Sequence, residues 1–195
     1  MKNLETPAVK LAVYGAQSSI GHALMVEALA RQFETTLVLD DLNAVDARPG
    51  LSTIQGDLYD PISVSQSIAG KDAVVCVLAT TGGADALQHT AKAVTALLDG
   101  LPVAGVKRLL LIGDFTWLDN TDASASQLQE RLTNSPVVWT LFDAPEVTDQ
   151  APLLSSFASQ VVDEVCHADN MHQRIRIHGQ ANQPVQPEVD VMPQP

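Results

Sequence analysis

Two glycines and two serines in one short stretch are the residues whose types and spacing could do chemistry. Val9-Lys10-Leu11-Ala12-Val13-Tyr14 is a mainly apolar run. Gly15-Ala16-Gln17-Ser18-Ser19-Ile20-Gly21 follows it and opens an amphipathic run. The order strand, tight turn, helix aims backbone N–H groups at the N-terminus of the helix. Those donors and the positive end of the helix dipole favour an anion, most often a phosphate. Gly15 and Gly21 stand six apart, with Ser18 and Ser19 where a dinucleotide fingerprint has its middle glycine. A middle glycine lets the backbone approach a pyrophosphate closely. A serine narrows that space, while its hydroxyl could donate to a phosphate oxygen.

Other constellations are weaker. Cys76 lies inside an apolar run and reads as a small core residue. Cys166 is too distant from it for a metal or redox spacing. Cys166, His167, Asp169 and His172 bring ligand types together without a ligand spacing, so no metal site is expected. His22 follows Gly21 and has two readings, a phosphate neighbour or a solvent-facing helix residue. No Gly-x-Ser-x-Gly elbow is present, which disfavours a hydrolase of that kind.

The elements that must position the turn follow from periodicity. Apolar runs predict strands at Val9 to Tyr14, Thr35 to Leu39, Leu51 to Gln55, Ala73 to Ala79, Lys107 to Ile112 and Pro136 to Phe142. Helical spacing predicts helices from Ile20 to about Phe33, from Pro61 to about Ala69, and from about Asp85 to Leu98. Two more are predicted over Ser124 to Leu132 and Pro152 to Val165. Asp60-Pro61 is a helix start, with Asp as N-cap and Pro at the first helical position. Ile62, Val64 and Ile68 form that helix's apolar side. Gly100, Pro102 and Gly105 are read as breaking the third helix. Arg174-Ile175-Arg176-Ile177 alternates like an edge strand.

The alternation of strands and helices implies an α/β, Rossmann-like, doubly wound fold, with a mostly parallel sheet and helices on both faces. Ligands of such sheets bind outside the carboxyl ends of the strands. The loops at Gly15 to Ile20, Asp40 to Leu42, Asp57 to Asp60, Ala79 to Gly83 and Gly113 to Thr116 are therefore the ones to watch. One domain is expected over residues 1–180. A Pro- and Gln-rich tail over 181–195 is expected to be disordered.

The chain has 195 residues, 46% of them hydrophobic and 17% charged, with a net charge of −12. Such a surface repels nucleic acid and anionic membrane, and neither is expected as a partner. No apolar run approaches the ~18 residues of a membrane span, and no signal peptide is read before the first strand, so a cytoplasmic protein is expected. An edge strand or helix face could pair subunits, and nothing in the sequence picks one, so a homo-oligomer stays open.

From about Val9 to Val147 these landmarks resemble the short-chain dehydrogenase/reductase superfamily, within it the atypical NAD(P)-binding group around the NmrA-like proteins. YGAQSSIG stands at the family's glycine turn, and QGDLYDPISVSQSIAGKDAVVCVLA resembles its third-to-fourth-strand block. AGVKRLLLIG and VVWTLFDAPEV resemble its fifth and sixth strands. The resemblance implies a dinucleotide contacted by Gly15, Gln17, Ser18, Ser19, Ile20 and Gly21. It also implies contacts from Asp57 and Leu58 on the adenine side. Ala79 and Thr80 are added as cofactor contacts, and the loop Thr80-Thr81-Gly82-Gly83 has two readings, a passage beside a nicotinamide ribose or only a loop. Asp57 has two readings, a bond to the adenine amino group or a cap on the next helix.

Asp40 stands where NADP-using members carry an arginine. A carboxylate there repels a 2′-phosphate and accepts from a ribose diol, which favours NAD over NADP. Its other reading is a solvated strand end.

The catalytic pattern departs from the family. Its Tyr-x-x-x-Lys pair, in which lysine tunes the tyrosine for proton exchange, is missing. The residue four after Tyr14 is Ser18, and four after Tyr59 is Ser63. Asp114 and Thr116 are the polar groups after the fifth strand, and Asp143 replaces a common sixth-strand arginine. Two readings stay open. One is an oxidoreductase acting on a flavin, quinone or small carbonyl compound without the pair. The other is a non-catalytic dinucleotide-sensing or protein-interaction module, with the dinucleotide bound weakly or not at all.

Overall fold

In the computed structural model, described over residues 7–79, 85–119, 122–146 and 150–176, seven strands form a single sheet. They are β1 Lys10–Tyr14, β2 Glu34–Leu39, β3 Leu51–Gln55, β4 Ala73–Val77, β5 Arg108–Gly113, β6 Val138–Asp143 and β7 Gln173–Ile175. Their spatial order is β3-β2-β1-β4-β5-β6-β7, and all six pairings are parallel. Five α-helices accompany them: α1 Ser19–Ala30, α2 Pro61–Ser67, α3 Ala86–Ala104, α4 Ala123–Asn134 and α5 Ala151–His167.

The apolar strand runs follow from burial on both faces. Ala12, Tyr14, Val74, Cys76, Leu109 and Leu111 point to a layer with α2, α3 and α4. Leu11, Val13, Val75, Leu110 and Ile112 point to the opposite layer, with Leu24 and Met25 of α1 and Phe157 and Val161 of α5. The sheet thus carries helices on both sides, as the alternation requires.

Several local expectations are corrected. The third helix does not stop near Leu98. It runs through Gly100 and Pro102 to Ala104 and ends at Gly105. Gly100 serves close packing rather than breaking: a Cβ there would lie 2.7 Å from Val64 Cγ1 and 2.9 Å from the Pro61 carbonyl, both on α2. Pro102 stands inside the last turn, where it leaves the Leu98 carbonyl without its i+4 donor.

Ile62 is 67% exposed rather than part of the apolar side of α2, which rests on Val64 and Ile68. β4 leaves the ladder after Val77, two residues early. β7 pairs with β6 as an edge strand over Gln173–Ile175, and Ile177 lies outside the described residues, as does the tail at 181–195. Among the described residues, no helix is long and apolar enough to cross a membrane.

Candidate functional site

The turn between β1 and α1 is fixed by two absent side chains. Gly15 has φ +76°, and a Cβ on it would lie 2.4 Å from the Val77 carbonyl of β4. A Cβ on Gly21 would lie 2.1 Å from the Gly15 carbonyl and 2.7 Å from Ala16 Cα. The first turn of α1 therefore packs directly on the loop backbone, and neither position admits alanine without a shift.

Ser18 is the N-cap of α1. Its hydroxyl accepts from the Gly21 N–H at 3.0 Å and donates to the Gly15 carbonyl at 2.8 Å. This corrects the expectation that the Ser18 hydroxyl is available to donate to a phosphate: its one proton is committed inside the turn. Among the described residues, the N–H groups of Ser19 and Ile20 have no protein partner. They are the orphan donors of the helix start, at the positive end of its dipole.

These groups open on a cleft of about 450 Å³ at the carboxyl ends of β1, β2 and β4. Strand order reverses between β1 and β4, so this is the topological switch point at which open α/β sheets bind ligands. Gly15, Gln17, Ser18, Ser19 and Ile20 form its turn side, Asp40 and Leu58 one end, and Ala79 the β4 side. Gly21 lies beneath the turn and does not line the cleft. Thr80 lies outside the described residues.

The two aspartates after β2 differ in use. Asp41 Oδ1 accepts from the Asn43 N–H at 2.9 Å and caps a short 3-10 turn. The Asp40 carbonyl accepts from Gln55 Nε2 at 3.0 Å, and its carboxylate has no protein partner among the described residues. Asp57 does not line the cleft. Its Oδ1 accepts from the Tyr59 N–H at 2.8 Å, and its own N–H donates to Ser63 Oγ at 2.8 Å. The cap on α2 is Asp60, which accepts from Ile62 and Ser63 N–H groups at 3.1 and 3.3 Å.

A second groove of about 870 Å³ lies on the other side of Gln17, Ser18 and Ser19, between α1, the β2–β3 connection and the start of α5. His22 is exposed and lines this groove rather than the cleft.

The carboxyl ends of β5, β6 and β7 carry a charge cluster. Asp114 Oδ1 accepts from the Thr116 N–H at 2.9 Å, and that bond holds its carboxyl below the usual range. Arg174 Nε donates to both Asp143 oxygens, at 2.9 and 3.1 Å, and Arg174 Nη1 to Asp119 Oδ2 at 3.1 Å. Arg176 Nη2 donates to the Asp119 oxygens at 2.9 and 2.8 Å. Sequence reasoning placed Asp114 and Asp143 here and missed Asp119, Arg174 and Arg176. The signal for the arginines was the alternation in Arg174-Ile175-Arg176, which puts both on one face of a strand.

Tyr14 is 3% exposed, its hydroxyl has no partner among the described residues, and burial pushes its phenol upward. Tyr59 lines the cleft beside Leu58, on the β2 side.

The parallel order β3-β2-β1-β4-β5-β6, with a glycine turn at its switch point, defines a Rossmann-like dinucleotide-binding fold. The family model described as NAD(P)H-binding matches residues 15–153, and the chain belongs to that family. Solved structures share the fold. A Rossmann-fold NAD(P)-binding family protein from Shigella flexneri is 16% identical, with a TM-score of 0.71 over 93% of this chain and 98% of that one. The Bordetella bronchiseptica enzyme WbmH, solved with NAD+, is 17% identical, with a TM-score of 0.67 over 88% of this chain and 76% of that one. A short-chain dehydrogenase/reductase from Veillonella parvula, solved with NADP, is 15% identical, with a TM-score of 0.61 over 90% and 96%. No curated protein matches the chain by sequence.

Proposed function

We propose that this protein binds a nicotinamide dinucleotide across the β1–β4 cleft, NAD in preference to NADP, and acts as an atypical short-chain dehydrogenase/reductase-like oxidoreductase. The observation that carries the reading is the turn itself. Gly15 and Gly21 leave no room for a Cβ, and the partnerless N–H groups of Ser19 and Ile20 stand beside the cleft. Such a cradle fits a pyrophosphate. Ser19 and Ile20 would hold it through their N–H groups, with Gly15 and Gln17 shaping the approach. The Asp40 carboxylate, without a protein partner, would accept from the ribose diol and repel a 2′-phosphate. Leu58 and Ala79 would bound the two ends.

When bound, the dinucleotide supplies a nicotinamide ring able to give or take hydride. The described residues of the cleft bind and orient, and neither Tyr14 nor Asp114 is poised to donate a proton. Tyr14 is sealed in the core, and Asp114 is held ionised by Thr116. That favours an acceptor needing no protein acid, a flavin or quinone, over a small carbonyl compound whose proton must come from water. The same observation favours a second reading, a non-catalytic dinucleotide-sensing or interaction module. Either reading suits a cytoplasmic protein.

The test is titration with NADH and NADPH, followed by nicotinamide fluorescence and melting. A ligand at a thousand times its Kd raises stability by about 4 kcal/mol. NADH is expected to bind. Stronger binding of NADPH overturns the role of Asp40, and binding of neither overturns the proposal. NADH oxidation with a flavin or quinone acceptor supports the enzyme; binding without turnover supports the sensor.

A further inference from the structure

β3 is one edge of the sheet, and it carries none of the devices that usually blunt an edge: charge, proline, a bulge or cover. The other edge, β7, has Arg174 in ion pairs with Asp119 and Asp143. Leu51-Ser52-Thr53-Ile54-Gln55 has no charged residue and no proline, in a chain of net charge −12, and its register with β2 is unbroken. Ser52 to Gln55 are exposed, Ile54 to 37%. The Thr35 N–H donates to the Gly50 carbonyl and the Gly56 N–H to the Leu39 carbonyl, each at 3.1 Å. In a parallel pair alternate residues bond the neighbour, so Ser52 and Ile54 face β2 while Leu51, Thr53 and Gln55 face outward. The Leu51 N–H donates to the Arg48 carbonyl at 3.1 Å. The Leu51 carbonyl and both backbone groups of Thr53 and Gln55 have no partner among the described residues.

We propose that β3 pairs antiparallel with β3 of a second copy of this chain, across a two-fold axis at Thr53, so that two sheets become one. The free groups are self-complementary, as an isologous contact requires. Each Thr53 N–H donates to the second copy's Thr53 carbonyl. Each Gln55 N–H donates to the second copy's Leu51 carbonyl, so the engaged Leu51 N–H is not needed. Ser52 stands opposite the second copy's Ile54, and no like charges meet along the strands. The charges at the strand ends match as well. In this register Arg48, which precedes one strand, comes to the end where Asp57 follows the other. Both are exposed, and among the described residues neither the Arg48 guanidinium nor Asp57 Oδ2 has a partner. The pairing does not depend on the cofactor reading.

The test is sedimentation of the full chain from micromolar to submillimolar concentration, with amide hydrogen exchange at both ends of that range. A reversible dimer is expected. Exchange at Thr53 and Gln55 is expected to slow as it forms, while Ser52 and Ile54, already bonded to β2, change little. Thr53→Pro removes the central donor without touching a bond to β2. Thr53→Lys sets like charges opposite each other across the axis. Each is expected to raise the dimer Kd by about ten-fold or more. Arg48→Glu, which meets Asp57 with a like charge, is expected to raise it by about two-fold, and more at low salt. Thr53→Lys changes an exposed side chain and decides the matter should Thr53→Pro not fold. A chain that stays monomeric throughout, a dimer that leaves exchange at Thr53 and Gln55 unchanged, or one that Thr53→Lys leaves intact overturns the pairing. Each of those results leaves the cofactor reading standing.

Discussion

Ser18 shows what one residue can change in a nucleotide turn. The sequence places a serine where a glycine is usual, and that alone leaves its hydroxyl either facing a ligand or turned inward. Only the geometry decides, because Gly15 and Gly21 bring a carbonyl and an N–H within reach of the same oxygen. Ser18→Ala is expected to lower stability by about 1 kcal/mol, the usual cost of losing an N-cap. Ser18→Gly should cost only a few tenths and, by freeing the Gly21 N–H, should not weaken dinucleotide binding. Chemical denaturation and NADH titration of both variants check this.

Cys76 is the opposite case, legible in advance from its apolar surroundings. Burial pushes its thiol up to about 12 from 9.0, and burial also raises Tyr14 above its ordinary 10.0. Both groups stay protonated in the fold, while the unfolded chain ionises them above those ordinary values. Their contribution is full below about pH 9 and is lost as pH rises further. Urea midpoints should fall between pH 8 and pH 10.5. A thiol reagent should find one group in the native protein, the exposed Cys166, and two after unfolding. Two in the native state would contradict the burial of Cys76.

At the scale of elements, strands and helix starts were legible because period and capping chemistry are local. β3 is found over the predicted residues, and Asp60 caps α2 as its Asp-Pro signal requires. What failed depends on neighbours distant in sequence. Gly100 looks like a breaker until α2 is seen against it. Ile62 looks buried until Val64 and Ile68 are seen to fill the interface. β7 is short, and tertiary polar contacts hold it in place. Arg108, buried on β5, donates to Thr140 Oγ1 at 2.9 Å and Glu164 Oε1 at 2.7 Å. Glu164 accepts from the Asn170 N–H and side chain at 2.9 and 2.8 Å, and Thr140 donates to the Asn170 carbonyl at 2.7 Å. The network clips α5 and the approach to β7 onto the sheet. Glu164→Ala leaves the Arg108 guanidinium buried without its anion, which is expected to cost about 3–5 kcal/mol. A loss below 1 kcal/mol in denaturant titration would contradict that role.

At the scale of the whole molecule, the doubly wound sheet followed from alternation, and a cleft lies beyond the strands' carboxyl ends, where ligands of such sheets bind. Eight of the eleven residues named from sequence for the cofactor line the cleft. Gly21 instead packs beneath the turn, and Asp57 turns its Oδ1 to the Tyr59 N–H, a distinction that spacing does not carry. The cluster of Asp119, Asp143, Arg174 and Arg176 needed the pairing of β7 with β6 before its members could be seen together. The central claim is that the cleft between β1 and β4 holds a dinucleotide by the backbone of its turn. Amide hydrogen exchange with and without saturating NADH tests it most directly. Exchange is predicted to slow at Ser19 and Ile20, with slowing also at Leu58 and Tyr59. Exchange unchanged at these amides, or slowed only elsewhere, would contradict the account.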